Sequence, residues 1–238
     1  MAEAQTIPWK RISVEAAAIV VSILLAFAID ASWEERQSHQ RQQELIRGLI
    51  LDFESFAERS REELALVDGI VSRNRELLEL LATDSSADLE EVQQLLSTFL
   101  RSPGRLQTSL PVLDTALGAD GVGSIQDPDF LRCLTDFHDQ RERYDQLIRI
   151  SADLYFRETG LFYRQRFGTT AVLTGNTSSY TYPREYEMTA EQITAELRKP
   201  ELFGRLEHRY SVNRNVRGAV MNLQETAEAA LQTLRRLE

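Results

Sequence analysis

Cysteine is nearly absent from this chain, and lysine and histidine are scarce. The 238 residues contain one cysteine, Cys133, and three histidines. One cysteine excludes an intramolecular disulfide and a metal centre built from several cysteines. Cys133 lies in an apolar helical stretch, so we interpret it as a small buried hydrophobic residue. Lysine occurs only at positions 10 and 199, and the remaining 25 basic residues are arginine. Because arginine forms planar pairs with carboxylates, we expect ion pairs between helices.

A basic surface is also lacking. The net charge of -10 argues against nucleic acid as a partner, because phosphate binding needs clustered lysine and arginine. It argues equally against a body that lies flat on anionic lipid. The composition, 42% hydrophobic and 27% charged, is typical of a folded protein with one or two domains.

Motifs for catalysis, metal binding and cofactor binding are missing. No G-x-S-x-G sequence is present, and the glycine-rich stretch 118–123 follows a helix and contains Asp120, which would repel phosphate. His138 and Glu142 are spaced by four residues, but a helical metal site needs more converging ligands. We therefore expect no catalytic residue, no metal and no cofactor, and we predict that the protein is not an enzyme.

One long apolar run is present, close to the N-terminus. No charge occurs from Ala16 to Ile29, and two tryptophans bracket this run, Trp9 and Trp33. The roughly 24 residues between them span about 36 Å of helix, near the distance between the two interfaces of a bilayer. The sequence therefore predicts a tail over residues 1–12 and a transmembrane helix over 13–33. Its expected interface anchors are Trp9, Lys10, Arg11 and Trp33.

Two other interpretations of the run stay open. Ala26-Phe27-Ala28 matches a signal-peptide cleavage site, although nothing interrupts the helix before it. A buried helix of a soluble core is the third interpretation. The positive-inside rule scarcely discriminates, since basic residues both precede and follow the run. A very short tail before a long polar body favours a cytoplasmic N-terminus. We therefore expect a single-pass cell-membrane protein with a periplasmic or otherwise extracytoplasmic body.

Small residues recur every fourth position of the predicted membrane helix, at Ala18, Ser22 and Ala26. Small side chains let helices approach closely in lipid, and Glu15 lies on a neighbouring part of this face. We expect this face to contact a second copy or another membrane protein. The alternatives are ordinary alanine content for the stripe and an interfacial acid for Glu15.

Apolar periodicity predicts a helical body over residues 34–238. The first helix continues to residue 82, a short one opens at Asp88, and Asp127-Pro128 and Pro200 start two long helices. Thr189 and Gln192 form a capping box before a further short helix. Irregular segments are expected at about 102–127, with a helical piece at 111–117, and at 168–188, with a hairpin near Gly175-Asn176. The predicted fold is all-α: a transmembrane helix continuing into an antiparallel bundle of three long helices with short accessory helices.

The passage Ile29-Asp30-Ala31-Ser32-Trp33-Glu34-Glu35-Arg36 resembles an uncharacterised bacterial family. In that family an N-terminal membrane helix is followed by Asp-x-x-Trp-Glu-Glu-Arg and a long helix. The stretch 113–134, with Ile125-Gln126-Asp127-Pro128 before a leucine-rich helix, is similar too. The resemblance implies an anchored helical body and no particular activity. The chain departs from the family at Ser32, where a second tryptophan is common.

These observations favour a membrane-anchored interaction module, such as a scaffold, an accessory subunit or a sensor. Its expected partners are the lipid bilayer and either a second copy or another membrane protein. The alternative function is an extracytoplasmic bundle that binds a small molecule and signals through a separate membrane partner. Aromatic residues that such a bundle offers for a pocket are Tyr144, Tyr155, Phe156, Tyr163 and Tyr210.

Overall fold

The computed structural model describes an all-helical chain, with no strand among the residues it covers. It describes residues 9–83, 88–99, 104–118, 121–159, 163, 166–167 and 188–238, with only the backbone at 9–20, 28, 156, 158 and 159. The helices are α1 (Trp9–Ala82), α2 (Leu89–Phe99), α3 (Pro111–Gly118), α4 (Pro128–Asp153), α5 (Ala190–Leu197) and α6 (Pro200–Leu237). A 3₁₀-helix covers Gly121–Ser124, and a π-helix, Leu154–Thr159, follows α4 directly. The expected all-α class is confirmed.

The chain divides into two compact units. The first comprises residues 1–48 together with Glu238, and the second comprises residues 49–237. Within the first unit, Arg47 Nε lies 3.3 Å from Glu238 Oε1. Residues 29–41 of this unit are exposed.

In the second unit, the buried positions of the long helices follow a seven-residue repeat. In α1 they are Leu49, Phe53, Phe56, Ser60, Glu63, Val67, Ile70, Asn74, Leu77 and Leu81. In α6 the repeat runs through Leu202, Leu206, Arg209, Asn213, Val216, Val220, Leu223, Ala227, Ala230 and Leu234. In α4 the same spacing is occupied by Phe130, Leu134, Phe137, Tyr144 and Ser151. Alternate steps of four and three residues keep one seam of each helix facing its neighbours, so the three helices form a bundle.

Helix α6 is antiparallel to the other two long helices. The contacts that define its direction are Glu54–Arg235, Arg61–Glu228 and Asp68–Arg217 with α1, and Cys133–Thr233, Gln140–Asn222 and Ser151–Arg209 with α4. In both sets the residue number rises in one helix as it falls in the other. The arginine pairs between α1 and α6 also confirm the expectation of inter-helix ion pairs.

Helices α1 and α4 run in the same direction, which corrects part of the expected antiparallel arrangement. The ring of Phe137 packs edge-on against Phe53 and Phe56, with centroids 5.3 and 5.2 Å apart. The parallel direction arises because the chain between the two helices returns along the bundle before α4 begins. At the end of that return, the N–H groups of Val112 and Leu113 donate to Asp52 Oδ2 over 2.7 and 3.2 Å.

Local capping signals start α2, α4 and α5 at the predicted residues. Asp127 accepts from the N–H of Phe130 over 2.8 Å, with proline at the first position of α4. Asp88 caps α2 in the same way, and the Thr189–Gln192 capping box is present at α5. The helix expected to continue to Phe167 instead changes to π geometry at Leu154. The turn at 84–87 and the hairpin near Gly175-Asn176 lie outside the described residues.

The end of the bundle where α1 ends is closed by the short helices α2 and α5. Twelve buried side chains share one cluster there: Leu77, Leu81, Val92, Leu95, Leu96, Phe99, Tyr163, Phe167, Ile193, Leu197, Leu202 and Leu206. Arg198 donates to the carbonyl oxygens of Leu81 and Thr83 over 3.0 and 2.6 Å, so it caps the carboxyl end of α1.

Candidate functional site

The surface of α1 is densely apolar over residues 21–29 of the first unit. Six large side chains are exposed by 49 to 67%: Val21, Ile23, Leu24, Leu25, Phe27 and Ile29. Successive helical positions turn by about 100°, so these side chains cover about two thirds of the helix circumference, and Ser22 and Ala26 lie on the remaining third. A surface helix in water would carry charged or strongly polar residues opposite its apolar face, and this stretch carries no charge.

The structure describes the side chains of only some of the predicted anchor and packing residues. Trp33 is 67% exposed, and Ser22 and Ala26 are also exposed. Trp9, Lys10, Arg11, Glu15 and Ala18 belong to α1 by their backbone, but their side chains lie outside the described residues. In the part of the chain that the structure describes, no helix is long and apolar enough to cross a membrane.

A layer of polar side chains interrupts the apolar core of the second unit. Asn74, Arg209 and Asn213 are fully buried, and Ser151 is 1% exposed. All four amide atoms of the two asparagines, and the Ser151 hydroxyl, have no hydrogen-bond partner among the described residues. A buried polar group without a partner costs about 1–3 kcal/mol. Such groups are the usual binding sites of internal water or of a small polar molecule.

Arg209 supplies the charge of this layer. Its Nη1 donates to the Ser151 carbonyl over 3.3 Å, and its guanidinium carbon lies 5.1 Å from the centroid of the Tyr155 ring. Burial lowers the pKa of Arg209 to about 10, which leaves the guanidinium charged at neutral pH. Tyr155 belongs to the π-helix, and single π turns within helices are frequent at functional sites.

The aromatic residues considered for a pocket do not all meet at one place, as the four whose side chains are described show. Tyr144 accepts from the N–H of Leu106, whereas Tyr163 donates to the carbonyl of Leu202 in the cluster at the end of the bundle. Tyr155 and Tyr210 lie near the polar layer, and Tyr210 accepts from Arg75 Nε over 3.2 Å. The side chain of Phe156 lies outside the described residues.

His138 faces solvent beside its predicted neighbour. Its Nε2 lies 3.5 Å from Glu142 Oε1, and both side chains are more than half exposed. The two side chains form a solvent-exposed contact, four residues apart, on the surface of α4.

The polar layer was not found from sequence, although a signal for it exists. The seven-residue repeat of α1 runs through Asn74, and that of α6 runs through Arg209 and Asn213. Polar residues at core positions of such a repeat are the expected mark of a buried polar layer.

Comparison with known proteins yields no relative of this chain: no protein family, no curated protein and no solved structure matches it.

Proposed function

We propose that the protein is a membrane-anchored helical interaction module, with residues 13–33 as a single-pass anchor and residues 34–238 as the body. The observation that carries this proposal is the broad band of exposed apolar side chains from Val21 to Ile29, which no charged residue interrupts. Lipid covers such a helix without needing a complementary protein surface. The uncharged sequence from Ala16 to Ile29 and the flanking tryptophans support the same assignment.

Membrane retention of paired variants tests the anchor. The wild-type chain should fractionate with membranes and resist carbonate extraction. Replacing Leu24 and Leu25 with aspartate should release it, because each acid near the centre of a membrane helix costs about 2.5–3.5 kcal/mol.

The matched control uses two leucines of the second unit with similar exposure. Leu51 is 66% exposed and Leu66 is 62% exposed, close to the 62% of both Leu24 and Leu25. Replacing Leu51 and Leu66 with aspartate should leave the protein in the membrane fraction. If the wild-type chain is soluble, or if both pairs behave alike, the anchor proposal is wrong.

We propose that the long polar body lies on the extracytoplasmic side of the membrane. A membrane-impermeant thiol reagent applied to intact cells should label a Ser38→Cys variant, since residue 38 is exposed. Labelling only after lysis would reverse the orientation. Cys133→Ser in the same chain removes the natural thiol.

A second candidate function is binding of a small molecule by the body, with a separate membrane partner carrying the signal. The observation that favours it is the set of unpartnered polar atoms on Asn74, Asn213 and Ser151. Native mass spectrometry of the purified full-length chain tests it. A bound species of defined mass that is lost in Asn213→Leu and kept in Asn215→Leu would support this function, because Asn215 is exposed. Identical spectra for the two variants would exclude the layer as its site.

A further inference from the structure

Glu63 is the one carboxylate among the buried residues that the structure describes. It occupies a core position of the seven-residue repeat of α1 and is 9% exposed. Its Oε1 is buried and has no hydrogen-bond partner among the residues that the structure describes. Acidic side chains are seldom buried unless they are paired or neutral.

The segment Gly104–Leu110 lies directly over this carboxyl group. A Cβ atom placed on Gly104 would lie 2.6 Å from Glu63 Oε2 and 2.9 Å from Oε1, so a side chain at position 104 would displace the Glu63 carboxyl group. Two residues further along, the buried N–H of Leu106 donates to the hydroxyl of Tyr144 over 2.8 Å. The segment therefore rests against α1 through Glu63 and against α4 through Tyr144.

Side-chain contacts hold this segment in place. Residues 104–110 belong to no helix, and the N–H of Leu110 donates to Asp114 Oδ2 over 3.2 Å. Leu106 and Leu110 are buried by 96% or more. A segment held by few backbone hydrogen bonds is expected to open at lower free energy than a helix of the core.

We propose that Glu63 and the segment Gly104–Leu110 form a proton-operated latch, docked while the Glu63 carboxyl is neutral and released when it ionises. Docking covers the carboxyl and removes it from water, which penalises its charged form. Release returns water to the carboxylate. The latch uses only residues of the second unit, and it does not depend on the membrane anchor.

Among the described residues, no charged or titratable group around Glu63 offsets this penalty. The segment contributes Arg105, which is exposed, and α4 contributes Tyr144 and Asp145. On α6, the buried positions at this level are all apolar: Ala219, Val220, Leu223 and Ala227. The charged groups of α6 there are directed elsewhere. Glu225 is exposed, Arg217 pairs with Asp68 of α1, and Glu228 pairs with Arg61 of α1. On α1 itself, Arg59 donates to Ser55 Oγ over 2.7 Å.

The direction of the pH effect follows from the burial of the carboxyl. Desolvation raises the pKa of Glu63 above its ordinary value of 4.5. The docked state therefore binds the proton more tightly than the released state. The stability that protonation of Glu63 gives to the docked state is therefore fully present below the ordinary pKa of the carboxyl group. It is lost as pH rises through the raised pKa of the docked state.

Hydrogen exchange at single amides tests the latch in the full-length chain. After correction for intrinsic exchange, protection of the Leu106 amide should fall as pH rises from about 4 to about 8. The fall should be about tenfold for each unit by which the Glu63 pKa is raised. Glu63→Gln mimics the neutral carboxyl, so this variant should keep its protection across the range.

Glu62→Gln is the matched control, because Glu62 is the exposed neighbour of Glu63 on α1. This substitution should leave the pH dependence of Leu106 protection as it is in the wild-type chain. Direct carbon-13 titration of Glu63 in the wild-type chain adds a measurement that needs no variant. Its midpoint should coincide with the loss of Leu106 protection. A Glu63 pKa at its ordinary value, or the same pH profile in the Glu63→Gln and Glu62→Gln variants, would overturn the latch.

Discussion

At the scale of single residues, Asn74 and Asn213 are the points at which the bundle core is least satisfied. Both side chains are fully buried, and neither amide has a partner among the described residues. Apolar residues of similar volume would remove the desolvation cost and add buried apolar area. We therefore predict that the two asparagines lower stability. A polar residue at such a position commonly fixes helix register and oligomeric state.

Replacing either asparagine with leucine should stabilise the body. Asn74→Leu and Asn213→Leu should each raise the free energy of unfolding by about 1–3 kcal/mol, measured by denaturant titration. Asn215→Leu, on the exposed side of α6, should change it by less than about 0.5 kcal/mol.

Light scattering on the same variants tests the role in specificity. The double variant Asn74→Leu with Asn213→Leu should populate more than one oligomeric state if the pair fixes the arrangement of helices. A loss of stability in the single variants would show instead that the amides bind something in the protein, such as ordered water, and that the layer is a binding site.

At the scale of secondary-structure elements, helix α4 has a local determinant for its start. Asp127 starts α4 by accepting from the N–H of Phe130, and Pro128 fixes the first helical residue. Asp127→Ala should lower the free energy of unfolding by about 1 kcal/mol, because one amide of the first turn loses its acceptor.

Asp129 gives the control for this cap. It is exposed and lies 2.9 Å from Arg132 on the same helix, so Asp129→Ala should cost less than about 0.5 kcal/mol. Equal losses for the two variants, measured by thermal unfolding, would mean that charge near the start of α4 matters and that the specific cap does not.

Local signals were sufficient to predict most elements. Asp88, Asp127 and the Thr189–Gln192 pair each act within one helical turn, so the sequence around them determines the outcome. The change to π geometry at Leu154 was not predictable, because it occurs beside the buried guanidinium of Arg209, more than 50 residues away. The parallel direction of α1 and α4 likewise depends on where the segment before α4 docks.

The core of α1 shows the same division between local and distant causes. The buried seam passes through Glu63 and Leu77, whereas the apolar residues next to them, Leu64 and Leu78, are only partly buried. Hydrophobicity could not assign Glu63 to the core. Its carboxyl group is approached by Gly104, which tertiary packing brings to it.

At the scale of the whole molecule, the open question is what brings copies or partners together. The small residues Ala18, Ser22 and Ala26 offer a close-packing face on the proposed anchor, and the seven-residue repeat of α1 offers a rival cause outside the membrane. In the second unit that seam is already occupied by α4 and α6, as the Phe53–Phe137 contact and the Glu54–Arg235 pair show. We therefore expect the anchor to drive association.

Self-association of the full-length chain in mild detergent tests this expectation. Replacing Ala18 and Ala26 with leucine should weaken it, because bulky side chains hold membrane helices apart. Replacing Ala17 and Ile23 with leucine, mostly off that face, should matter less. Deleting residues 1–33 should give a monomeric body, measured by analytical ultracentrifugation. If the truncated and full-length chains share one oligomeric state and the leucine variants change nothing, the small residues reflect alanine content, and any association lies in the body.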